Sequence, residues 1–339
     1  MRQYICSFLI SFLVNLFVIS IAKRKAFCVD CGDAEKPQRF HTDPTSRAGG
    51  LGIFLACAAI LLLGREDLTL DVRSYFLIVS SIPAFMIGFY EDFRANVSAR
   101  TRLLFMSVGA VVAIINLDAV IYDTGLFSLP LWFAVPFTIF AVSGVTNSIN
   151  IIDGFNGLAS GVAIISLLFF ASVAYGYGDY FILTTVLTLV FSISGFFVLN
   201  FPRGRIFLGD GGAYFIGFML VMLSIVMINR HPEMSPLFPV TILMYPVFET
   251  LFSIYRRKFK RRLSPLAPDR IHLHSLIHMR IAKINSKTAL YIWPVVLAFD
   301  LAALLFKENT ISLVCTIFVF VAFYLYIYGK IVRFGFKKW

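Results

Sequence analysis

A chain of 339 residues with 59% hydrophobic and 16% aromatic side chains and a mean hydropathy of +0.82 is more apolar than ordinary soluble domains. It needs lipid as solvent, which excludes a soluble globular enzyme and turns the net charge of +11 from a nucleic-acid signal into a question of loop orientation. The expected fold class is an all-α integral membrane protein, one polytopic domain over residues 1–339.

Apolar windows long enough to cross a bilayer fall near 4–22, 49–64, 74–90, 103–122, 131–149, 158–175, 180–199, 212–229, 235–255, 289–305 and 310–328, about eleven spans. The first is too long for a signal peptide and lacks a small-residue cleavage site, so it is expected to be retained, with no soluble domain before or after it. Behind it, Cys28 and Cys31 form a C-x-x-C with no second pair and only His41 nearby, too little for a zinc site. The five cysteines give no disulfide framework.

If the spans alternate, one side receives the loops at 23–48, 91–102, 150–157, 200–211 and 256–288 and the tail from 329. That side carries twenty-five lysines and arginines against five on the other. The positive-inside rule then makes it cytoplasmic, with the N-terminus outside and the C-terminus inside. The run Arg256, Arg257, Lys258, Lys260, Arg261 and Arg262 opens the longest inner loop, 256–288, and reads as an anchor for anionic head groups.

Four polar constellations fall on this side. Glu91 and Asp92 close the third span, with Arg94, Arg100 and Arg102 close by. Asn147, Asn150 and Asp153 recur at every third residue and sweep one helical face before Gly154 and Gly157 open the backbone. Unpaired amides inside an apolar run cost several kcal/mol by hydrocarbon-transfer estimates, so a ligand or cation is the better account of them. Asp210 stands in a glycine turn, Phe207-Leu-Gly-Asp-Gly-Gly, ahead of another span, where backbone N–H groups can approach an anion. In the 256–288 loop, Arg270, His272 and His274 are followed by His278, and period-two spacing sets His272 and His274 on one side of an extended segment.

Acids in three inner loops with cationic side chains beside them point to a divalent metal and a phosphorylated substrate. Two unit charges 4 Å apart repel by about 4 kcal/mol at an effective dielectric of 20, so joining two phosphates needs a cation between them. The alternative, a transporter or flippase for lipid-linked sugars, would be expected to place ionisable groups near mid-membrane.

These stretches resemble the polyprenyl-phosphate N-acetylhexosamine-1-phosphate transferases, the family of WecA-type glycan initiators and the MraY-type translocase. The resemblance covers residues 23–290. It rests on Arg39, His41, Pro44 and Arg47-Ala-Gly-Gly; on the acidic pair at 91–92; on NxxNxxDGxNGL at 147–158 and FLGDGG at 207–212; on Pro246 and Glu249; and on SPxxPDRxHxH at 264–274. The last stretch is closer to the WecA type than to the MraY type. Glu91 stands where an aspartate is usual, Asn156 replaces the second aspartate of the DGxDG pattern, and Ser275 replaces a histidine.

The resemblance implies transfer of N-acetylhexosamine-1-phosphate from a UDP-sugar, UDP-GlcNAc or a related UDP-HexNAc, to undecaprenyl phosphate. UMP is released and a lipid-linked glycan such as O-antigen or a cell-wall polysaccharide is begun, at the inner membrane of a bacterium with magnesium or manganese. It implies Asp210 and Asp153 as metal ligands, with Asp153 also orienting the diphosphate, and Glu91 or Asp92 acting near the lipid phosphate. Asn147 and Asn150 would shape the nucleotide pocket; Arg270, His272, His274, Arg39 and His41 would contact substrate. The partners implied are the UDP-sugar, the polyprenyl phosphate and the bilayer, with no nucleic acid; a homodimer is compatible with the sequence.

Overall fold

The protein is described here from a computed structural model covering residues 1–25, 29–30, 45–63, 72–94, 97–260 and 271–334. Among these residues thirteen α-helices follow one another: α1 (Arg2–Lys25), α2 (Gly49–Leu63), α3 (Val72–Arg94), α4 (Ala99–Leu117), α5 (Leu131–Ile152), α6 (Leu158–Gly176), α7 (Tyr180–Asn200), α8 (Gly209–Arg230), α9 (Leu237–Ile242), α10 (Met244–Tyr255), α11 (Leu273–Ile277), α12 (Asn285–Leu305) and α13 (Thr310–Phe334). Strands β1 (Val29–Asp30) and β2 (Thr45–Ser46) pair antiparallel beside them. The chain is an α-helical, multi-pass membrane protein.

Among the described residues nine helices are long and apolar enough to cross a membrane: α1, α3 to α8, α12 and α13. The two remaining expected spans differ. The run at 49–64 is the 15-residue helix α2, too short to cross on its described length. The run at 235–255 is not one helix but two, α9 and α10, broken at Leu243. Pro246 supplies no N–H for the Ile242 carbonyl, and its ring crowds that carbonyl, so the turn cannot continue as a regular helix. The span expected at 103–122 begins earlier and ends at Leu117, because Asp118 takes a left-handed conformation with φ of 49°.

The most apolar window of α8 is 94% buried, against 17% for α13, so α8 is the axis and α13 a peripheral brace. Packed on α8, α3 brings its last turn to the first turn of α8, and α5 crosses nearby, so three helix ends meet at one end of the bundle. Of the basic run read as a head-group anchor, Arg256 and Arg257 turn into the protein, and Arg261 and Arg262 lie outside the described residues. Arg256 and Arg257 are buried, and Arg256 lies over the Phe252 and Tyr328 rings and donates to Tyr328 Oη at 3.0 Å. Lys258 and Lys260 remain exposed.

Candidate active site

Asp210 occupies the first turn of α8, and what fixes it there is Asp92. The Asp92 carboxylate accepts the backbone N–H groups of Asp210 (2.9 Å) and Gly211 (3.0 Å), pairing two of the donors that a helix N-terminus leaves free. The approach depends on missing side chains. Gly209 sits at φ +75°, and a Cβ there would meet Asp92 Oδ2 at 2.6 Å. A Cβ on Gly88 would lie 2.6 Å from the Asp210 carbonyl carbon, so α3 and α8 touch backbone to backbone.

Residues 46–50 run alongside 207–208 through three backbone hydrogen bonds: Phe207 N–H to Ser46 (2.8 Å), Gly49 N–H to Phe207 (2.9 Å) and Gly50 N–H to Leu208 (2.9 Å). That ladder carries Arg47 over the acids, with Nε 3.6 Å from Asp92 Oδ1 and Nη2 3.5 Å from Asp210 Oδ1. From α5, Asn150 donates to the same Asp210 oxygen at 2.6 Å. Asn147, one turn earlier on α5, is partly exposed. Glu91 receives Arg102 of α4 on both carboxylate oxygens, at 3.1 and 3.3 Å, and the same guanidinium nitrogen reaches Tyr214 Oη of α8 at 3.2 Å.

Asp153 ends α5, its N–H bonded to the Asn150 carbonyl at 3.1 Å. Desolvation by the surrounding protein pushes its carboxyl up to about 7, the Asp210 charge adds to the rise, and Arg47 opposes it. Both pressures would be relieved by a cation between the two carboxylates. The turn after it is clamped: Gly157 N–H donates to Asn200 Oδ1 (2.7 Å), and Asn200 Nδ2 to the Ile206 carbonyl (2.7 Å). Asn156 gives its backbone N–H to Asn285 Oδ1 (2.7 Å) and its side-chain amide to the Pro202 carbonyl (3.2 Å), which makes it a junction between loops.

The histidines close the same end. His272 precedes α11 in extended conformation, and its ring stacks on that of His274 with centroids 5.2 Å apart and 4° between planes. His274 Nε2 lies 3.8 Å from where a Cβ on Gly154 would stand, so the pair faces the Asp153 turn. Phe155 packs against His274 and His278, at 5.8 and 4.9 Å between centroids. Glu249 of α10, wholly buried, accepts His272 Nδ1 (2.9 Å), and Tyr245 Oη lies 3.3 Å from His274 Nδ1.

The structure thus brings Glu91, Asp92, Asn150, Asp153, Asp210, His272 and His274 to one end of the bundle. Arg39, His41 and Arg270 lie outside the described residues. Arg47, Arg102, Tyr214 and Glu249 join the site without having been assigned roles from sequence. Arg47 and Glu249 stand within the motifs shared with the family and Arg102 close to the acidic pair, whereas nothing in the sequence around Tyr214 marks it. Among the described residues no group of three or more His, Cys, Asp or Glu forms a ready-made metal cage. One or two carboxylates of this set would be enough for a divalent cation that completes its shell with substrate phosphates and water.

A family profile, glycosyl transferase family 4, matches residues 74–228. The chain is also 30% identical over 346 aligned residues to a probable undecaprenyl-phosphate N-acetylglucosaminyl 1-phosphate transferase of Bacillus subtilis, covering 98% of this chain and 92% of that protein. The chain belongs to glycosyl transferase family 4, among the polyprenyl-phosphate N-acetylhexosamine-1-phosphate transferases. Two further relatives are both undecaprenyl-phosphate alpha-N-acetylglucosaminyl 1-phosphate transferases. That of Thermotoga maritima is 29% identical over 87% of each chain, and that of Escherichia coli 26% identical over 78% of this chain and 74% of its own. The profile takes in α3 to most of α8, the helices that carry Glu91, Asp92, Asn150, Asp153 and Asp210. Arg47 and the histidine loop fall outside it.

Proposed function

We propose that this family 4 member transfers N-acetylhexosamine-1-phosphate from a UDP-N-acetylhexosamine, UDP-GlcNAc first among them, to undecaprenyl phosphate at the cytoplasmic face of a bacterial plasma membrane, releasing UMP. The observation that carries the reading is the convergence of Asp92, Asp153 and Asp210 from three helices around Arg47 and Asn150. Among the described residues the carboxylates of Glu91, Asp92, Asp153 and Asp210 outnumber the guanidinium groups of Arg47 and Arg102 beside them, an anionic floor that repels a diphosphate unless a cation intervenes. The lysine and arginine asymmetry supports the cytoplasmic orientation of this end.

Asp210 and Asp153 would hold a magnesium or manganese ion, which when bound supplies charge neutralisation between donor diphosphate and acceptor phosphate. Asp92 holds Asp210 in place by capping α8. Arg47 partly neutralises both acids and stands where a phosphoryl oxygen can pair with it. Glu91, fixed by Arg102, stands beside Asp92 on the acceptor side of the floor. A phosphomonoester has its second pKa near 6, so the acceptor is already largely ionised at neutral pH and positioning outweighs base catalysis. Asn147 and Asn150 line the nucleotide side, with His272 and His274 over the diphosphate.

Purified protein in detergent, incubated with undecaprenyl phosphate, magnesium and a panel of UDP-N-acetylhexosamines, should release UMP only when lipid and divalent cation are both present. Release without lipid, or none with any donor, would refute the assignment. Transport of an unmodified lipid-linked sugar would favour the flippase.

A further inference from the structure

Glu249 has a role that the transfer reaction uses without touching substrate. It is wholly buried in α10, and every direction around its carboxylate is filled. Oε1 accepts His272 Nδ1 at 2.9 Å; Oε2 accepts Tyr324 Oη of α13 at 2.7 Å; the Leu273 N–H reaches both oxygens, at 3.2 and 3.3 Å. Tyr324 is 2% exposed and held by the Phe248 and Phe252 rings, with centroids at 4.9 and 5.6 Å. A buried carboxylate this fully bonded is a rigid acceptor.

From this geometry we infer that Glu249, backed by Tyr324, is a positioning residue that sets the tautomer and direction of His272 for the donor diphosphate. An acceptor at Nδ1 requires that nitrogen to carry the proton, which leaves Nε2 to face outward. Among the described residues nothing pairs with His272 Nε2, and the ring is stacked on His274, whose own Nε2 abuts Gly154 next to Asp153. The peripheral helix α13 thus reaches the chemistry through one phenol and one carboxylate, a chain of contacts outside the family-profile region 74–228.

The inference rests on the proposed transfer reaction, and its test separates the two. Glu249→Ala should lower kcat/KM about 10- to 100-fold, as loss of a ligand-orienting partner does, by raising the KM for UDP-GlcNAc and not that for undecaprenyl phosphate. Glu249→Gln, which keeps an acceptor for Nδ1–H, should restore most of it. In a His272→Gln background, Glu249→Ala should add less than about twofold, since residues acting through one another are not additive. If Glu249→Ala does not fold, Tyr324→Phe, which removes a single hydrogen bond, carries the same cycle with a smaller effect. Additive losses, or a rise in both KM values, would overturn the inference. Should the wild type release no UMP, the transfer reading fails while ¹⁵N spectra of histidine-labelled protein still decide this one. His272, assigned by its loss in His272→Gln, should be protonated at Nδ1 in the wild type, and a predominantly Nε2-protonated neutral form would refute it.

Discussion

Asp210 and Asp153 do different work from Asp92, and substitution should separate them. Asp210→Asn and Asp153→Asn should each abolish cation-dependent UMP release while the protein still inserts and elutes as wild type; near-normal turnover in either would remove the site assignment. Asp92→Asn should lose stability as well. Its amide can accept only one of the two N–H groups of Asp210 and Gly211 and turns a donor toward the other, and an unpaired buried donor costs about 1–3 kcal/mol. A lowered thermal midpoint together with reduced turnover is the expected outcome, and an unchanged midpoint would contradict the capping role. At this scale the acids and amides were legible because each breaks an apolar run. Arg102, Tyr214 and Tyr324 were not, since nothing in their local sequence announces a partner on another helix. Asn156 stands where the family pattern has a second aspartate, and its bonds to Asn285 and Pro202 explain how an amide serves as a loop junction there.

At the scale of the element, the site depends on α3 and α8 meeting without side chains between them. Gly88→Val would drive a branched group into the Asp210–Gly211 backbone and separate the helices that carry Asp92 and Asp210. Overpacking of this kind costs about 1–3 kcal/mol. Activity should fall at least tenfold with the thermal midpoint, and retention of both would show that the close approach is dispensable. Hydropathy exposed the long spans because lipid demands a continuous apolar run, and the break at Leu243 was obscured for the same reason. Pro246 interrupts hydrogen bonding without lowering hydropathy, so α9 and α10 read as one span. The short helix α11 was hidden likewise, because His272 and His274 fit a period-two pattern whether or not the backbone curls after the first of them.

Over the whole molecule, the end of the bundle opposite the site is tied by Asp179. Its carboxylate receives Arg230 Nε at 2.6 Å and Nη2 at 3.2 Å, with His231 Nε2 at 3.0 Å from Oδ2. Burial by itself would raise its pKa, but the hydrogen bonds from Arg230, the Ile182 N–H and His231 outweigh it and hold the group below the ordinary carboxylate range. The fold therefore favours the ionised form. The stability this adds is complete above an ordinary carboxylate pKa of about 3.9 and is lost as pH falls through the depressed value. Asp179→Asn should cost about 1 kcal/mol at pH 7, with the gap to wild type closing below about pH 4. Turnover should be preserved, because the 22 residues of α8 set this lock about 30 Å from Asp210. A gap that widens on acidification would contradict the ionised pairing.

The helices, their glycine contacts and the lock at the far end all hold in place one anionic floor for phosphosugar transfer. UMP release by purified protein given undecaprenyl phosphate, magnesium and UDP-GlcNAc or another UDP-N-acetylhexosamine tests that transfer most directly. Release that requires lipid and cation and disappears in Asp210→Asn is the predicted result, whereas no release with any donor, or release unaffected by Asp210→Asn, would contradict it.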